Sequence, residues 1–128
     1  MYIRFITMRI DADSEAPEGI FRAASFLRDD EELPPYDAEH LRDILKWFGA
    51  HLPTPSRFAR SRQPHRKKKA ISWFKSSAHD HIAKAREIVR LLDEHGWHVR
   101  TVKTDQPGFV VYEDAFQIAA VPFASTEV

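Results

Sequence analysis

The sequence predicts a single α+β domain with elements in the order β-α-α-β-α-β-β-β, and three observations carry that reading. The opening residues and the C-terminal third are rich in β-branched and aromatic side chains at strand spacing. Stretches between them repeat apolar residues at helical spacing. A chain of 128 residues, 43% hydrophobic and 30% charged, is long and apolar enough to bury one core. Its last three strands follow one another over short turns. The expectation is therefore a mixed or antiparallel sheet with a C-terminal three-stranded meander and helices packed on it.

Residues 2–8, YIRFITM, read as a strand with both faces at least partly covered. DADSEAPEG follows as a loop in which Asp13 or Ser14 can cap a helix over residues 18–29, with Ile20, Ala24 and Leu27 on one stripe. The prolines of EELPPY break that helix. Asp37 is placed to cap the next one, and Tyr36 with Leu41 occupies the two positions of a hydrophobic staple. Leu41, Ile44, Leu45, Phe48 and Leu52 form its apolar face, Trp47 falls on the flank, and Pro53 ends it.

A basic loop over residues 53–69 leads to AISWF, a strand at 70–74. Ser77 to Asp80 has the form of a capping box, with Asp in place of Glu. The helix it opens carries Ile82, Ala85, Val89 and Leu92 as its core stripe, with Ile88 beside it, and Gly96 closes it in the left-handed region. Strands follow at 97–104, 108–114 and 115–123. Pro107 and Gly108 suit a type II turn between the first two, and Glu113–Asp114 a tight turn between the last two.

Several classes of function are excluded or left without support. The chain has no cysteine, which removes disulfide scaffolds, thiolate nucleophiles and Cys-ligated metals. No apolar run approaches the roughly 20 residues of a membrane span, and MYIRFITMRI lacks a cleavage site, so a cytoplasmic protein is expected. The four glycines are scattered, so no phosphate-cradling loop exists, and no serine sits in a nucleophile elbow. His79 and His81 point roughly 200° apart on a helix and cannot share an ion. His40 and His51 lie at opposite ends of theirs. No metal and no cofactor is expected, and a binding domain is favoured over an enzyme.

What remains is charge. The net charge is zero, but residues 11–43 hold eleven acids against three bases, whereas residues 51–77 hold eight bases and no acid. RFARSRQPHRKKK supplies Arg57, Arg60, Arg62, Arg66, Lys67, Lys68 and Lys69. Arginine forks suit phosphate or carboxylate, and rings such as Phe58, Trp73 and Phe74 beside cations suit single-stranded nucleic acid. The leading reading is a binding domain that engages an anionic partner, nucleic acid or an acidic protein surface, through this loop. One alternative is an Arg-lined pocket for a phosphate or carboxylate compound, with His81 and Tyr112 among its lining residues. Another is a homodimer that pairs the acidic segment with the basic loop. The bland alternative is a solvated run that only balances the acidic half.

RFARSR at 57–62, SWFKSSAHDHI at 72–82 and PGFVVYED at 107–114 together resemble short, uncharacterised bacterial proteins. The resemblance spans most of the chain and implies no particular activity, cofactor or site residue. If the loop's partner is nucleic acid, counterion release makes affinity fall steeply with salt. Equilibrium binding to a single-stranded oligonucleotide across a salt series checks this, and an affinity flat from low to moderate salt would end that version.

Overall fold

The computed structural model describes residues 1–12, 15–54 and 70–128. Its elements are β1 (Tyr2–Ile10), β2 (Pro17–Gly19), α1 (Ile20–Arg28), α2 (Pro35–His51), β3 (Ile71–Lys75), α3 (His79–Glu94), β4 (Arg100–Thr104), β5 (Phe109–Glu113) and β6 (Gln117–Val121). The fold is α+β, and the strands pair antiparallel throughout one sheet. The short β2 is an addition to the order read from sequence. Asp13, Ser14 and residues 55–69 lie outside the described residues.

β1 organises the sheet because it has three partners and only two edges. β4 runs along one edge, from Tyr2↔Thr104 to Ile6↔Arg100. β3 meets Tyr2 and Ile3, and β2 meets Ile6 and Ile10, so both must share the opposite edge, one beyond the other. β3 continues to β6, and β6 to β5. Of the three successive C-terminal strands, β5 and β6 form a hairpin, while β4 hydrogen-bonds to β1.

The sheet must curl. β4 and β5 lie on opposite margins, four strand spacings apart, which is about 19 Å if flat. The short link between Thr104 and Phe109 spans at most about 17–18 Å when fully extended. Strand alternation then sorts two cores. Ile3, Phe5 and Phe74 face the helices and pack with Ala24, Leu41, Ile44, Ile88 and Leu92. Ile6, Ile71, Trp73, Val102, Ile118 and Ala120 cluster on the other, enclosed face.

The helices differ from the sequence reading at their starts. α2 begins two residues before Asp37, with Pro34 as N-cap and Pro35 inside the first turn, because proline's fixed φ is already helical there. Asp37 stands in that first turn instead, and its carboxylate accepts from His95 Nε2 (3.0 Å). α3 has Ala78 as N-cap with no side-chain capping bond; the Ser77 carbonyl accepts from the His79 N–H (2.9 Å). α1 starts from Gly19, again without a side-chain cap. At the other end of α3, Gly96 has φ +87, the Trp97 N–H donates to the Leu92 carbonyl (2.9 Å), and the Gly96 N–H to that of Asp93 (3.3 Å). That is the Schellman closure expected of this glycine. The α3 core stripe is centred on Ile88 and Leu91, with Val89 only half-buried.

Asp114 builds the β5–β6 turn. Its Oδ1 accepts from the N–H groups of Phe116 (2.8 Å) and Gln117 (3.1 Å), and its Oδ2 from the Tyr112 hydroxyl (2.8 Å) and Gln117 Nε2 (3.0 Å). Burial pushes its pKa up, but these four donors outweigh burial and hold it below the ordinary aspartate value. The same contact pushes the Tyr112 phenol up.

Gly108 has φ +122, and a Cβ there would lie 2.0 Å from the Val121 carbonyl oxygen, whereas a Cβ on Gly49 in α2 would meet nothing within 4 Å. Chemical denaturation should show Gly108→Ala destabilised by roughly 3 kcal/mol or more. Gly49→Ala should gain about 0.5–1 kcal/mol. Because the folded pKa of Asp114 is depressed, its stabilisation is complete above the ordinary aspartate value and is lost as pH falls through the folded one. Asp114→Asn should therefore cost about 1 kcal/mol at pH 7. The gap between variant and wild-type melting temperatures should close as pH falls below about 4.

Candidate functional site

The shared edge of β1 is interrupted. Pairing with β3 stops at Ile3↔Phe74 and pairing with β2 begins at Ile6↔Gly19, so Arg4 and Phe5 face a gap between the two strands. Beyond the gap the β1–β2 pairing is irregular, since β1 takes four residue steps from Ile6 to Ile10 while β2 takes two from Gly19 to Pro17. The gap opens into a cleft of about 290 Å³. Phe5, Ile20, Phe21, Leu52 and Phe74 are among its apolar walls; Arg4, Asp11, Glu18 and Arg22 bring charge to it.

Arg4 is its central polar group. Alternation along β1 puts its side chain on the enclosed face with Ile6, and only 8% of the residue is exposed. Its Nη2 donates to the Pro17 carbonyl, while its Nη1 is buried and has no hydrogen-bond partner among the described residues. Burial pushes the guanidinium pKa down to about 10, against the opposing pull of Asp11. Trp73 Nε1 is a second buried donor with no partner among the described residues. Glu18 Oε2 also lacks a hydrogen bond, but it has Arg9 Nε 3.7 Å away. The first turn of α1, Ile20 to Arg22, borders the cleft and has no capping side chain. The described lining residues also include Ser72 and Gln117, and no histidine.

The residues singled out from sequence fall elsewhere. Arg57, Arg60, Arg62, Arg66, Lys67, Lys68 and Lys69 lie outside the described residues. Leu52 and Ala70, on either side of the basic loop, both line the cleft. His81 is buried, donates from Nε2 to the His51 carbonyl (2.8 Å), and stacks on Phe116 with ring centroids 4.2 Å apart. Tyr112 donates to Asp114. Neither is among the residues that line the cleft. Trp73 and Phe74, considered above as rings beside the cations, are 1% and 7% exposed and cannot serve as open stacking surfaces. The structure also gathers Asp37, Glu94 and His95, with ligand atoms within 4.8 Å of one another, where α2 begins and α3 ends. His95 already donates to Asp37 there, which accounts for the grouping as a brace between helices.

Sequence reading missed Arg4 and took Trp73 for a stacking ring, whereas its Nε1 is a buried donor. One signal was available: Arg4 is the lone charge in YIRFITM, a strand whose pattern demands cover on both faces. No protein-family model, no curated protein and no solved structure matches this chain.

Proposed function

We propose that this protein is a binding domain that receives the anionic group of a small molecule in the cleft between β1, β3 and the start of α1. The observation that carries the reading is Arg4, a guanidinium buried in an apolar cleft with Nη1 lacking a hydrogen-bond partner among the described residues. An unpaired buried donor costs about 1–3 kcal/mol, and more when charged, so an acceptor supplied by a ligand recovers a large free energy. The uncapped start of α1 favours negative charge at the same place. The volume sits at the low end of the roughly 300–1,000 Å³ usual for small-molecule sites, which suits a compact metabolite.

The reading does not draw on the cations of residues 57–69. Engagement of an anionic macromolecule by that loop is a separate proposal, supported by the charge distribution of the sequence. Among the described residues no helix is long and apolar enough to cross a membrane.

Titration calorimetry with benzoate and phenyl phosphate tests the cleft. At least one should bind wild type, and Arg4→Met should weaken it by about ten-fold or more. Folding should survive, since an apolar replacement for a buried charge is often neutral or stabilising. Wild-type affinity should hold steady up to about pH 9 and fall as pH passes about 10, where Arg4 releases its proton. Asp11, Glu18 and Arg22 also border the cleft. Equal binding by wild type and Arg4→Met would remove the reading.

A further inference from the structure

Resting on the cleft as an anion site, we infer that its ligand is a monocarboxylate with an apolar body and that phosphate compounds are discriminated against. The inference starts from strand register. Tyr2 pairs with Lys75 and Ile3 with Phe74, so the next step of the ladder would set Arg4 opposite Trp73. Pairing stops there, and β3 turns away to complete its ladder with β6 through Trp73↔Ile118 and Ile71↔Ala120. Alternation places both side chains on the same enclosed face of the sheet. Arg4 Nη1 and Trp73 Nε1 are therefore two buried donors, with no hydrogen-bond partner among the described residues, at facing positions of two strands whose pairing has stopped.

A carboxylate carries two oxygens in one plane, one for each donor. A phosphate monoester brings three terminal oxygens and, near neutral pH, a charge of about −1.5 to −2. One buried guanidinium meets one negative charge, and the other charged lining groups, exposed Arg22 against Asp11 and Glu18, already sum to −1. The surplus charge and the third oxygen of a phosphate would have to lose water against apolar walls and those acids, at a cost of several kcal/mol if unpaired. The walls fit the remainder of an organic acid. Phe21 is held edge-on to Phe48, centroids 4.8 Å apart, and also meets Phe74 at 6.3 Å, which gives a fixed aromatic side to the cleft.

The test compares benzoate and 3-phenylpropanoate with phenyl phosphate and uncharged benzamide, each titrated into the full chain. The better carboxylate should bind at least about ten-fold more tightly than phenyl phosphate, a difference of about 1.4 kcal/mol. Trp73→Phe, which keeps most of the ring volume and deletes the N–H, should weaken the carboxylate about three-fold or more and leave phenyl phosphate unchanged. The wild-type ranking is decisive even if that variant folds poorly. Phenyl phosphate binding as tightly as the carboxylates, or more so, overturns the monocarboxylate inference while the anion site stands. If neither class of anion binds, or benzamide matches them, the anion site itself fails and the inference goes with it.

Discussion

A strand has two hydrogen-bonding edges, and β1 is asked to serve three partners. β4 takes one edge whole, which forces β2 and β3 to divide the other. Each pairs with a different part of β1, and neither reaches Arg4 and Phe5. A sheet normally closes its ladder because unpaired backbone is costly to bury. Here the break is permitted because α1 begins immediately after β2 and lends its first turn to the rim. The cleft is thus a product of topology: remove the short β2, and β3 would be free to extend its pairing along the strand.

The price of that arrangement is visible at Arg4 and Trp73. Folded proteins are stable by only about 5–15 kcal/mol, and unsatisfied buried donors consume a measurable part of it. Two such donors at facing positions, beside an irregular strand pairing, are the basis of the anion site proposed above. The Pro17 carbonyl absorbs one nitrogen of Arg4 and fixes the guanidinium to β2, so the free nitrogen is positioned before any ligand arrives. Preorganisation of this kind cuts the ordering cost of binding.

How much of this was legible beforehand depends on the range of the interactions involved. Periodicity placed α1, α2 and α3, because a helix face repeats within its own few turns; it also gave Gly96 as a closing residue and Asp114 as a turn former. Cap positions slipped at Asp37 and Ser77, where a proline at α2 and backbone bonding at Ser77 move the N-cap by three residues and by one. β2 was folded into the reading of α1, since three residues carry too little pattern to separate. The cleft was not legible at all beyond the odd charge at Arg4. It depends on which residue of β1 faces which residue of β3, and that pairing joins positions about seventy residues apart in the chain. A run of like charges, by contrast, can be read from the string, and it drew attention to residues 57–69 instead.

The residues that sequence reading nominated as pocket lining nonetheless bear on the cleft at one remove. Leu52 forms one of its walls and is the residue at which α2 stops, so its position depends on how the end of that helix is held. The last carbonyl of α2 and that of Pro53 just beyond its C-cap find donors in two other elements. His81 of α3 donates to the His51 carbonyl, and Gln117 at the start of β6 donates to that of Pro53. Gln117 is itself oriented by Asp114, whose remaining oxygen position is completed by Tyr112. Tyr112, Asp114 and Gln117 thus form a polar chain from the β5–β6 turn to the residue beside Leu52, and His81 secures the same helix end from above the aromatic group of Trp47 and Phe116. The polar side chains here act as positioning residues for an apolar wall. Slackening that chain would move Leu52, and the shape of the cleft with it, while leaving both donor groups on β1 and β3 in place.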